Sequence, residues 1–404
     1  MGIQRTQILT AMRSGESGHR ACDVVVVGAG PAGLIAARTL AEQGYAVTVL
    51  EEHEVIGAPV HCTGVLGFEA FDELRLSRRA IVGTATSARF IAPDGSSVVI
   101  DAERVRAAVV DRVTFDRDLA AAAVGAGATI HTAARVATIQ QTPDAVVVQA
   151  SLGEIRGRAA VLACGASYRF NRALGLGIPG VLVHSAQLEV PFPPLDHVQV
   201  HFGRKVAPGG FAWIVPFERN GSTFARVGLF CDSDAGSHFR AFGDAIRQAH
   251  GLPDPWPAAR LKALPLAPVT RTWTDRILAV GDAAGVVKPT TGGGIYYGLL
   301  TGQIAGEVLG TALSENQLGA RRLREYERRW RARLGPEIRA GLAFRAVASR
   351  LGDKAIERLM ELARVDGIVP LLKQTADFNW HRAAASALLR HAEFRKIVVS
   401  SMWS

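Results

Sequence analysis

A strand, a glycine-rich turn and a helix near the N-terminus constrain the fold more than any other feature of this sequence. The apolar run Val24–Val27 is followed at once by GAGPAG, residues 28–33, and residues 34–41 then have helical periodicity. Residues 46–50 predict a second strand, which ends at Glu51. This order of buried strand, glycine turn, helix, strand and acid is typical of a dinucleotide-binding βαβ unit. The sequence therefore predicts a Rossmann-type α/β domain.

The residues of this unit have separate physical roles. Gly28 makes the tight turn, and Gly30 lets the backbone approach a pyrophosphate at the helix N-terminus. Gly33 permits close packing of the helix on the strand, and Glu51 can accept hydrogen bonds from ribose hydroxyls. The predicted dinucleotide contacts in this part of the chain are Gly28, Gly30, Ala32, Gly33, Glu51 and Glu52.

The segment GDAAGVVKPTTGGGIYYGLLTG, residues 281–302, indicates the second half of the cofactor site. The apolar run 277–280 predicts a short strand with Asp282 beyond its carboxyl end, where open α/β sheets bind ligands and where Asp282 can accept a ribityl hydroxyl. The three glycines open the next helix, so bare amides and the helix dipole favour the negative charge of a reduced flavin. We therefore predict FAD as the dinucleotide. Its predicted contacts here are Asp282, Gly292, Gly293, Gly294 and Ile295.

Length and cysteine use narrow the class of protein. With 404 residues, the chain is too long for one compact sheet, so we expect two or three interleaved domains. The four cysteines are widely spaced and form no CxxC, so we expect neither a disulfide framework nor a zinc site, and a cytoplasmic location. We find no apolar run of about 18 residues and no signal-peptide core, and residues 1–21 predict a flexible leader.

The net charge of +9 lies entirely at the C-terminal end. Residues 321–404 contain 18 Lys and Arg against 9 Asp and Glu, whereas the first 320 residues contain 28 of each kind. A basic helical tail can contact an anionic membrane or an anionic substrate group, or it can be only a solvated helix face. No nucleic-acid motif accompanies the charge, so we do not expect nucleic-acid binding.

Four separated motifs resemble those of FAD-dependent oxidoreductases related to p-hydroxybenzoate hydroxylase, and most closely those of the geranylgeranyl reductase family. Two are the glycine segments described above. GAPVHCTG, residues 57–64, resembles the family's Gly-x-Pro-x-x-Cys segment, which implies that Cys62 lies near the flavin ring. VVDRVTFDRDL resembles the family's Asp-Arg-x-x-Phe-Asp helix, which implies that Arg112 contacts FAD. We add Thr63 and Val136 to the predicted cofactor contacts.

PGGFAWIVPF, residues 208–217, resembles the family's YxWxFP cavity motif, with Phe211 in place of tyrosine. It also resembles the WxWxIP motif of flavin-dependent halogenases, but those enzymes use a lysine in the N-terminal half and this chain has none before Lys205. The resemblance implies an apolar, aromatic-lined cavity, to which we assign Phe211, Trp213 and Phe217. The candidate catalytic residues are Cys62, Phe211 and Trp213.

The resemblance implies an FAD-dependent reductase that saturates carbon–carbon double bonds of a prenyl chain, carried by a prenylated lipid or a prenyl diphosphate. Cys164 stands where many flavin hydroxylases have the aspartate of an Ala-Asp-Gly-x-x-Ser motif, which argues against an aromatic hydroxylase. It also leaves the reductant open between NAD(P)H and a ferredoxin-type donor. The alternatives are an FAD-dependent monooxygenase of an apolar or secondary-metabolite substrate and a flavin electron-transfer protein to quinone.

The predicted organisation is an FAD-binding domain interleaved with an antiparallel-sheet substrate domain and followed by a helical C-terminal region. A turn at residues 92–96, between two strand-like runs, predicts a hairpin of the substrate sheet. The predicted segments are 22–84, 104–175 and 276–318 for the FAD-binding domain, 85–103 and 176–275 for the substrate domain, and 319–404 for the helical region.

Overall fold

The computed structural model describes residues 20–101, 107–365 and 368–401. The predicted leader therefore lies almost wholly outside the described residues, although Arg20 and Ala21 already belong to the first strand. The strands are β1 (Arg20–Val27), β2 (Val47–Leu50), β3 (Val65–Gly67), β4 (Ile81–Ala85), β5 (Ser87–Ile91), β6 (Ser97–Asp101), β7 (Ala107–Val110), β8 (Thr129–His131), β9 (Val136–Gln141), β10 (Val146–Ala150), β11 (Gly153–Leu162), β12 (Leu182–Pro191), β13 (Val198–His201), β14 (Phe211–Arg219), β15 (Ser222–Cys231), β16 (Arg260–Pro265), β17 (Trp273–Thr274) and β18 (Ile277–Ala279).

The helices are α1 (Pro31–Ala41), α2 (Glu69–Glu73), α3 (Arg112–Gly125), α4 (Arg169–Ala173), α5 (Ala235–His250), α6 (Ile295–Ser314), α7 (Ala320–Ala348), α8 (Asp353–Val365), α9 (Ile368–Thr375), α10 (Arg382–Arg390) and α11 (Ala392–Ser401), with a short 3-10 helix at Gly281–Ala284.

The first sheet has a parallel core built around β1. β1 pairs with β11 on one side and β2 on the other, and β18 and β8 continue the parallel order outwards. β9 and β10 extend antiparallel from β11, and β17 pairs antiparallel with β18. Val24–Val27 are buried, as a strand covered on both faces requires. The predicted Rossmann-type domain is confirmed.

Helices α1 and α6 pack closely because a row of glycines faces α1. Gly298, Gly302, Gly306 and Gly310 recur every four residues, which places them on one side of α6. A Cβ on Gly302 would lie 2.2 Å from the carbonyl oxygen of Ala32. The sequence GLLTGQIAGEVLG therefore packs α6 against a helix that lies about 250 residues earlier in the chain.

The second sheet has the order β16-β12-β15-β14-β13-β5-β6. Its pairs are antiparallel, including the predicted β5–β6 hairpin, except that β13 runs parallel to β5. Alternation along β14 gives the sheet two buried faces. Ala212 and Ile214 belong to the core under α5, whereas Trp213 and Val215 pack with Val287 on the opposite face. This opposite face is turned towards the FAD-binding segments.

The sheet to which each described strand belongs agrees with most of the predicted domain segments. β3, β7 and β4 form a three-stranded sheet at the junction, and the strands of residues 85–103 lie in the second sheet. β17 is an exception, since it precedes the predicted boundary at residue 276 and pairs within the first sheet. We propose the division into domains on this basis.

The chain is helical from α7 onwards. Leu351 and Ala355 pack with Phe394 and Val398, and Met360 packs with residues of the β5–β6 hairpin. The C-terminal helices therefore close over the second sheet. None of the helices in the described residues has the length and apolar character required to cross a bilayer.

Candidate functional site

A cavity of about 1240 Å³ lies where the two large sheets and the C-terminal helices meet. It brings together nearly all of the residues that the sequence assigns to cofactor and substrate. Those lining it are Gly28, Gly30, Ala32, Glu51, Glu52, Cys62, Thr63, Arg112, Val136, Phe211, Trp213, Asp282, Gly292, Gly293, Gly294 and Ile295. Gly33 lies behind the wall, where a Cβ would meet the carbonyl oxygen of Gly28 at 2.2 Å.

The glycine turn leaves room for a pyrophosphate. Gly28 has φ +108°, and a Cβ there would lie 2.4 Å from the carbonyl oxygen of Ala163, so a side chain is excluded on two grounds. A Cβ on Gly30 would meet no atom within 4 Å, because that side of the turn faces the cavity. Gly30 caps the N-terminus of α1, where free amides favour a phosphate.

Glu51 is fixed at the cavity wall by backbone amides. Its Oε2 accepts a hydrogen bond from Ala29 N at 2.8 Å, and its Oε1 accepts one from His53 N at 3.0 Å. The side chain is 13% exposed, so an oriented carboxylate stands beside the turn, as a ribose contact requires. Glu52 is 57% exposed and lies 3.7 Å from Arg135.

The loop that carries Cys62 is held by the second sheet. Cys62 Sγ accepts from Gly64 N at 3.4 Å, and the Thr63 hydroxyl donates to Gln187 Oε1 at 2.8 Å. The guanidinium of Arg226 donates to Thr63 O at 2.6 Å and to Val110 O at 3.0 Å. Arg226 is 1% exposed, and burial lowers its pKa.

Sequence reasoning missed both supports of this loop. Gln187 lies in β12, which contains several polar residues, so the sequence offered no signal for it. Arg226 lies in β15 between apolar residues, and a charged side chain in such a run was the available signal.

Arg112 is the first residue of α3 and forms an ion pair with Asp116 within the protein. Its Nε and Nη2 donate to Asp116 at 3.0 and 2.7 Å, one turn along the helix. Burial works against the guanidinium charge, but Asp116 and Cys62 together outweigh it and raise the pKa of Arg112. Arg112 also interacts electrostatically with Cys62. It lines the cavity as a fixed positive charge beside that thiol.

The second glycine segment brings Asp282 to the start of α6. A Cβ on Gly294 would lie 2.8 Å from Asp282 Oδ1, so a side chain would push the carboxylate away. Asp282 Oδ2 lies 3.5 Å from Lys262 Nζ, on β16 of the second sheet. Gly294 is the N-cap of the 20-residue α6. The amides and the carboxylate therefore face one part of the cavity.

Aromatic side chains form the wall on the second sheet. Phe211 lies 6.0 Å from Trp213 and 4.7 Å from Phe230, measured between ring centroids. The assignment of Phe217 to the cavity is wrong. Although Phe217 shares the face of Trp213 on β14, it lies further along the strand, packed 5.6 Å from Phe224 and under Arg226.

The cavity continues into the C-terminal helices. Its walls there are mainly apolar and come from α7 to α11, including Phe344, Leu351, Met360, Leu372, Leu388 and Phe394. The described residues contain no group of three or more His, Cys, Asp or Glu that could hold a metal ion.

The fold and this site define an FAD-binding oxidoreductase. A model of the FAD binding domain matches residues 21–181. Digeranylgeranylglycerophospholipid reductase of Methanothrix thermoacetophila is 32% identical over 362 residues, covering 84% of this chain and 90% of the relative. The enzyme of that name numbered 1 in Methanococcoides burtonii is 31% identical, covering 89% and 94%.

The chain belongs to this family, the geranylgeranyl reductase family of FAD-dependent oxidoreductases, as its motifs indicate. A solved geranylgeranyl bacteriochlorophyll reductase-like protein from Thermoplasma acidophilum matches the fold, with a TM-score of 0.82 at 21% identity, over 95% of this chain and 99% of the other. The cofactor is FAD.

Proposed function

We propose that this protein is an FAD-dependent reductase that saturates carbon–carbon double bonds of a prenyl chain. The observation that supports this most is the continuity of the cavity, because the dinucleotide turn and the apolar C-terminal helices line the same space. Its volume of about 1240 Å³ exceeds the roughly 300–1,000 Å³ typical of a single small ligand. It offers room for a cofactor and a long apolar chain end to end.

We propose a lipid-borne chain as the substrate, with a prenyl diphosphate as the second choice. The names of the relatives refer to a prenylated glycerophospholipid. The apolar walls formed by α8 to α11 suit a hydrocarbon, which gains free energy from leaving water.

Reduced FAD, when bound, supplies a hydride to one carbon of the double bond. An isolated alkene has no electron sink, so the protein must provide a proton for the other carbon and must keep water out. We propose that Phe211 and Trp213 pack against the chain, and that the indole face of Trp213 stabilises positive charge that develops on carbon. The proposed site of the proton is Cys62 Sγ, which lies beside the cation of Arg112.

The test is the mass change of a geranylgeranyl-bearing lipid incubated without oxygen with the chemically reduced protein. Gains of two hydrogens for each double bond are expected. An unchanged mass, with FAD still reduced until air is admitted, would replace this proposal with the monooxygenase. Oxidation of the flavin by a quinone, with the lipid unchanged, would favour the electron-transfer protein.

A second experiment tests the proposed role of Cys62. Cys62→Ala should slow lipid reduction strongly while FAD affinity stays near that of the wild type, because Sγ donates no bond that holds the dinucleotide turn. Cys231→Ala is the matched control, since Cys231 is buried in the core under α5. Equal rates for Cys62→Ala and the wild type would remove the thiol from the mechanism.

We also propose that the C-terminal helices contact an anionic membrane surface on its cytoplasmic side. Several arginines of α7 are neutralised by ion pairs with carboxylates, such as Arg322 with Glu315 and Arg329 with Glu307. The later helices carry exposed cations on the outer side of the cavity wall, and Val365 is 78% exposed. The exposed cations are Lys354, Arg358, Arg364, Lys373, Arg382, Arg390, Arg395 and Lys396, of which Arg382 pairs with Glu337 and Lys396 with Glu393.

Co-flotation with lipid vesicles tests this contact. Binding to vesicles with anionic lipid, little binding to zwitterionic vesicles, and release at high salt are expected, since surface attraction is screened. Arg358→Gln combined with Arg390→Gln should weaken binding, whereas Arg328→Gln, on α7, should not. Equal binding to both kinds of vesicle would contradict an electrostatic contact.

A further inference from the structure

A buried lysine lies behind the glycine segment, on the side of the C-terminal helices. Lys288 is 5% exposed, and its Nζ donates to Phe378 O at 3.0 Å and to Asn379 Oδ1 at 3.1 Å. Nζ also lies 4.3 Å from the centroid of the Phe378 ring. Among the described residues, no carboxylate lies within ion-pair distance of this nitrogen. A buried cation therefore has neutral partners only, and a nearby anion would stabilise it.

The loop that holds the lysine nitrogen is anchored to three elements. Asn379 is fully buried, donates from Nδ2 to Glu69 Oε1 at 2.5 Å and accepts from the Tyr297 hydroxyl at its backbone oxygen, 3.1 Å away. The next part of the loop is also anchored, because the His381 ring contacts the Thr290 hydroxyl. The loop formed by residues 376–381 thus connects α2, α6 and the glycine segment.

The lysine stem lies close to Gly293, just before the start of α6. A Cβ on Gly293 would lie 2.7 Å from Lys288 Cε and 3.4 Å from its Nζ. Gly292 N donates to Lys288 O at 2.8 Å, which closes the turn. Lys288 and both glycines line the cavity. The ammonium and the N-terminal end of α6 therefore place positive charge on the same part of the wall.

We propose that Lys288 is the cation of the FAD site, which neutralises the negative charge that reduced FAD carries at its N1 and C2 carbonyl end. Two of the three ammonium protons are used by Phe378 and Asn379, which leaves one for a ligand. The C-terminal loop 376–381 fixes the ammonium in place. The lysine concerns the cofactor and not the substrate, so this inference does not rest on prenyl reduction.

Burial and the charges around Lys288 determine the pH range in which its side chain is cationic. Burial lowers the pKa of Lys288 to about 8, and the carboxylates of Glu69 on α2 and Asp377 in the loop act in the opposite direction. His381 adds no positive charge near neutral pH, because burial and Lys288 lower its pKa to about 3. The ammonium is therefore mostly charged at pH 7 and loses its proton as the pH rises through about 8.

The test uses sulfite, which bonds to N5 of oxidised FAD and leaves a negative charge at the N1 and C2 carbonyl end. In FAD-loaded protein without lipid, Lys288→Met should bind sulfite at least about tenfold more weakly, and its FAD should have a lower midpoint potential. Lys288→Arg keeps the charge and should stay near the wild type. Lys373→Met removes an exposed lysine of α9 and is the matched control. Unchanged sulfite affinity and potential in Lys288→Met would overturn the proposal.

A second measurement does not depend on the methionine variant retaining FAD. The sulfite affinity of the wild type should fall relative to that of Lys288→Arg as the pH rises from 7 to 9, because only the lysine loses its charge. Parallel curves for the two proteins would contradict a loss of the lysine charge between pH 7 and 9 in the FAD-loaded protein.

Discussion

Replacing Arg226 with methionine removes the cation that joins the second sheet to the Cys62 loop. The guanidinium is 1% exposed and donates to the carbonyl oxygens of Thr63 and Val110, and its Nε lies 3.2 Å from Glu189. Methionine has a similar length and offers no donor. The variant leaves two buried carbonyl oxygens with one partner fewer.

The cost follows from these contacts. Removing one partner of a buried ion pair costs about 3–5 kcal/mol. The lower end applies here, because Glu189 is 29% exposed and keeps Arg219 at 2.5 Å. A chain of 404 residues unfolds with an entropy of about 0.8 kcal/mol per kelvin, so 3 kcal/mol lowers the melting temperature by about 4 °C.

Two assays check this prediction. Thermal denaturation of FAD-free protein should show the shift for Arg226→Met and a smaller one for Arg226→Lys, which keeps a charge but cannot reach all three partners. Mass spectrometry after thiol labelling should show faster modification of Cys62 in the methionine variant. An unchanged melting temperature together with unchanged Cys62 labelling would refute the role given to Arg226.

Three further predictions concern the cofactor turn, the helix contact and the buried histidines. Glu51→Gln should weaken FAD binding about tenfold to a hundredfold in a titration, because charge-assisted hydrogen bonds contribute about 1.5–3 kcal/mol, whereas exposed Glu54→Gln should not. Gly302→Ala should lower stability to urea by about 1–3 kcal/mol, since its Cβ would lie 2.2 Å from a carbonyl oxygen of α1; Gly125→Ala, with open space, should not. The pKa of His381 is lowered to about 3 in the folded protein, so the unfolded chain binds a proton first as the pH falls, and the stability should decrease from pH 6.5 towards 3. If the melting temperature of His381→Asn decreased with pH as steeply as that of the wild type, this prediction would be contradicted.

The sequence predicted the parts of the site whose signals are local. The glycine turn, the acid after β2 and the glycines before α6 can each be recognised from a few consecutive residues, because tight turns and helix starts restrict residue type locally. The motif at residues 208–217 predicted the strand β14 and which of its faces is turned towards the cavity. It could not give the extent of the cavity, so Phe217 was assigned to a wall that it does not reach.

The supports of the site depend on contacts across long stretches of chain. Arg226 reaches Thr63 over 163 residues, and Lys288 reaches Asn379 over 91. Periodicity shows that such side chains are polar residues in apolar surroundings, but it does not show which distant group satisfies them. The parallel pair β5 and β13 escaped prediction for the same reason, since alternation reports a face and not a neighbour.

The glycine row on α6 also sets the order in which this protein can fold during synthesis. The face of α1 that receives it leaves the ribosome about 250 residues earlier, which at roughly 5–20 residues per second is a wait of about 13–50 s. During that interval the N-terminal βαβ unit has an apolar helix face without its partner. We expect nascent chains ending before Ile295 to be cleaved readily within α1 by added protease and chains extended past Ser314 to resist; equal cleavage would mean that α1 is protected by another segment until α6 arrives.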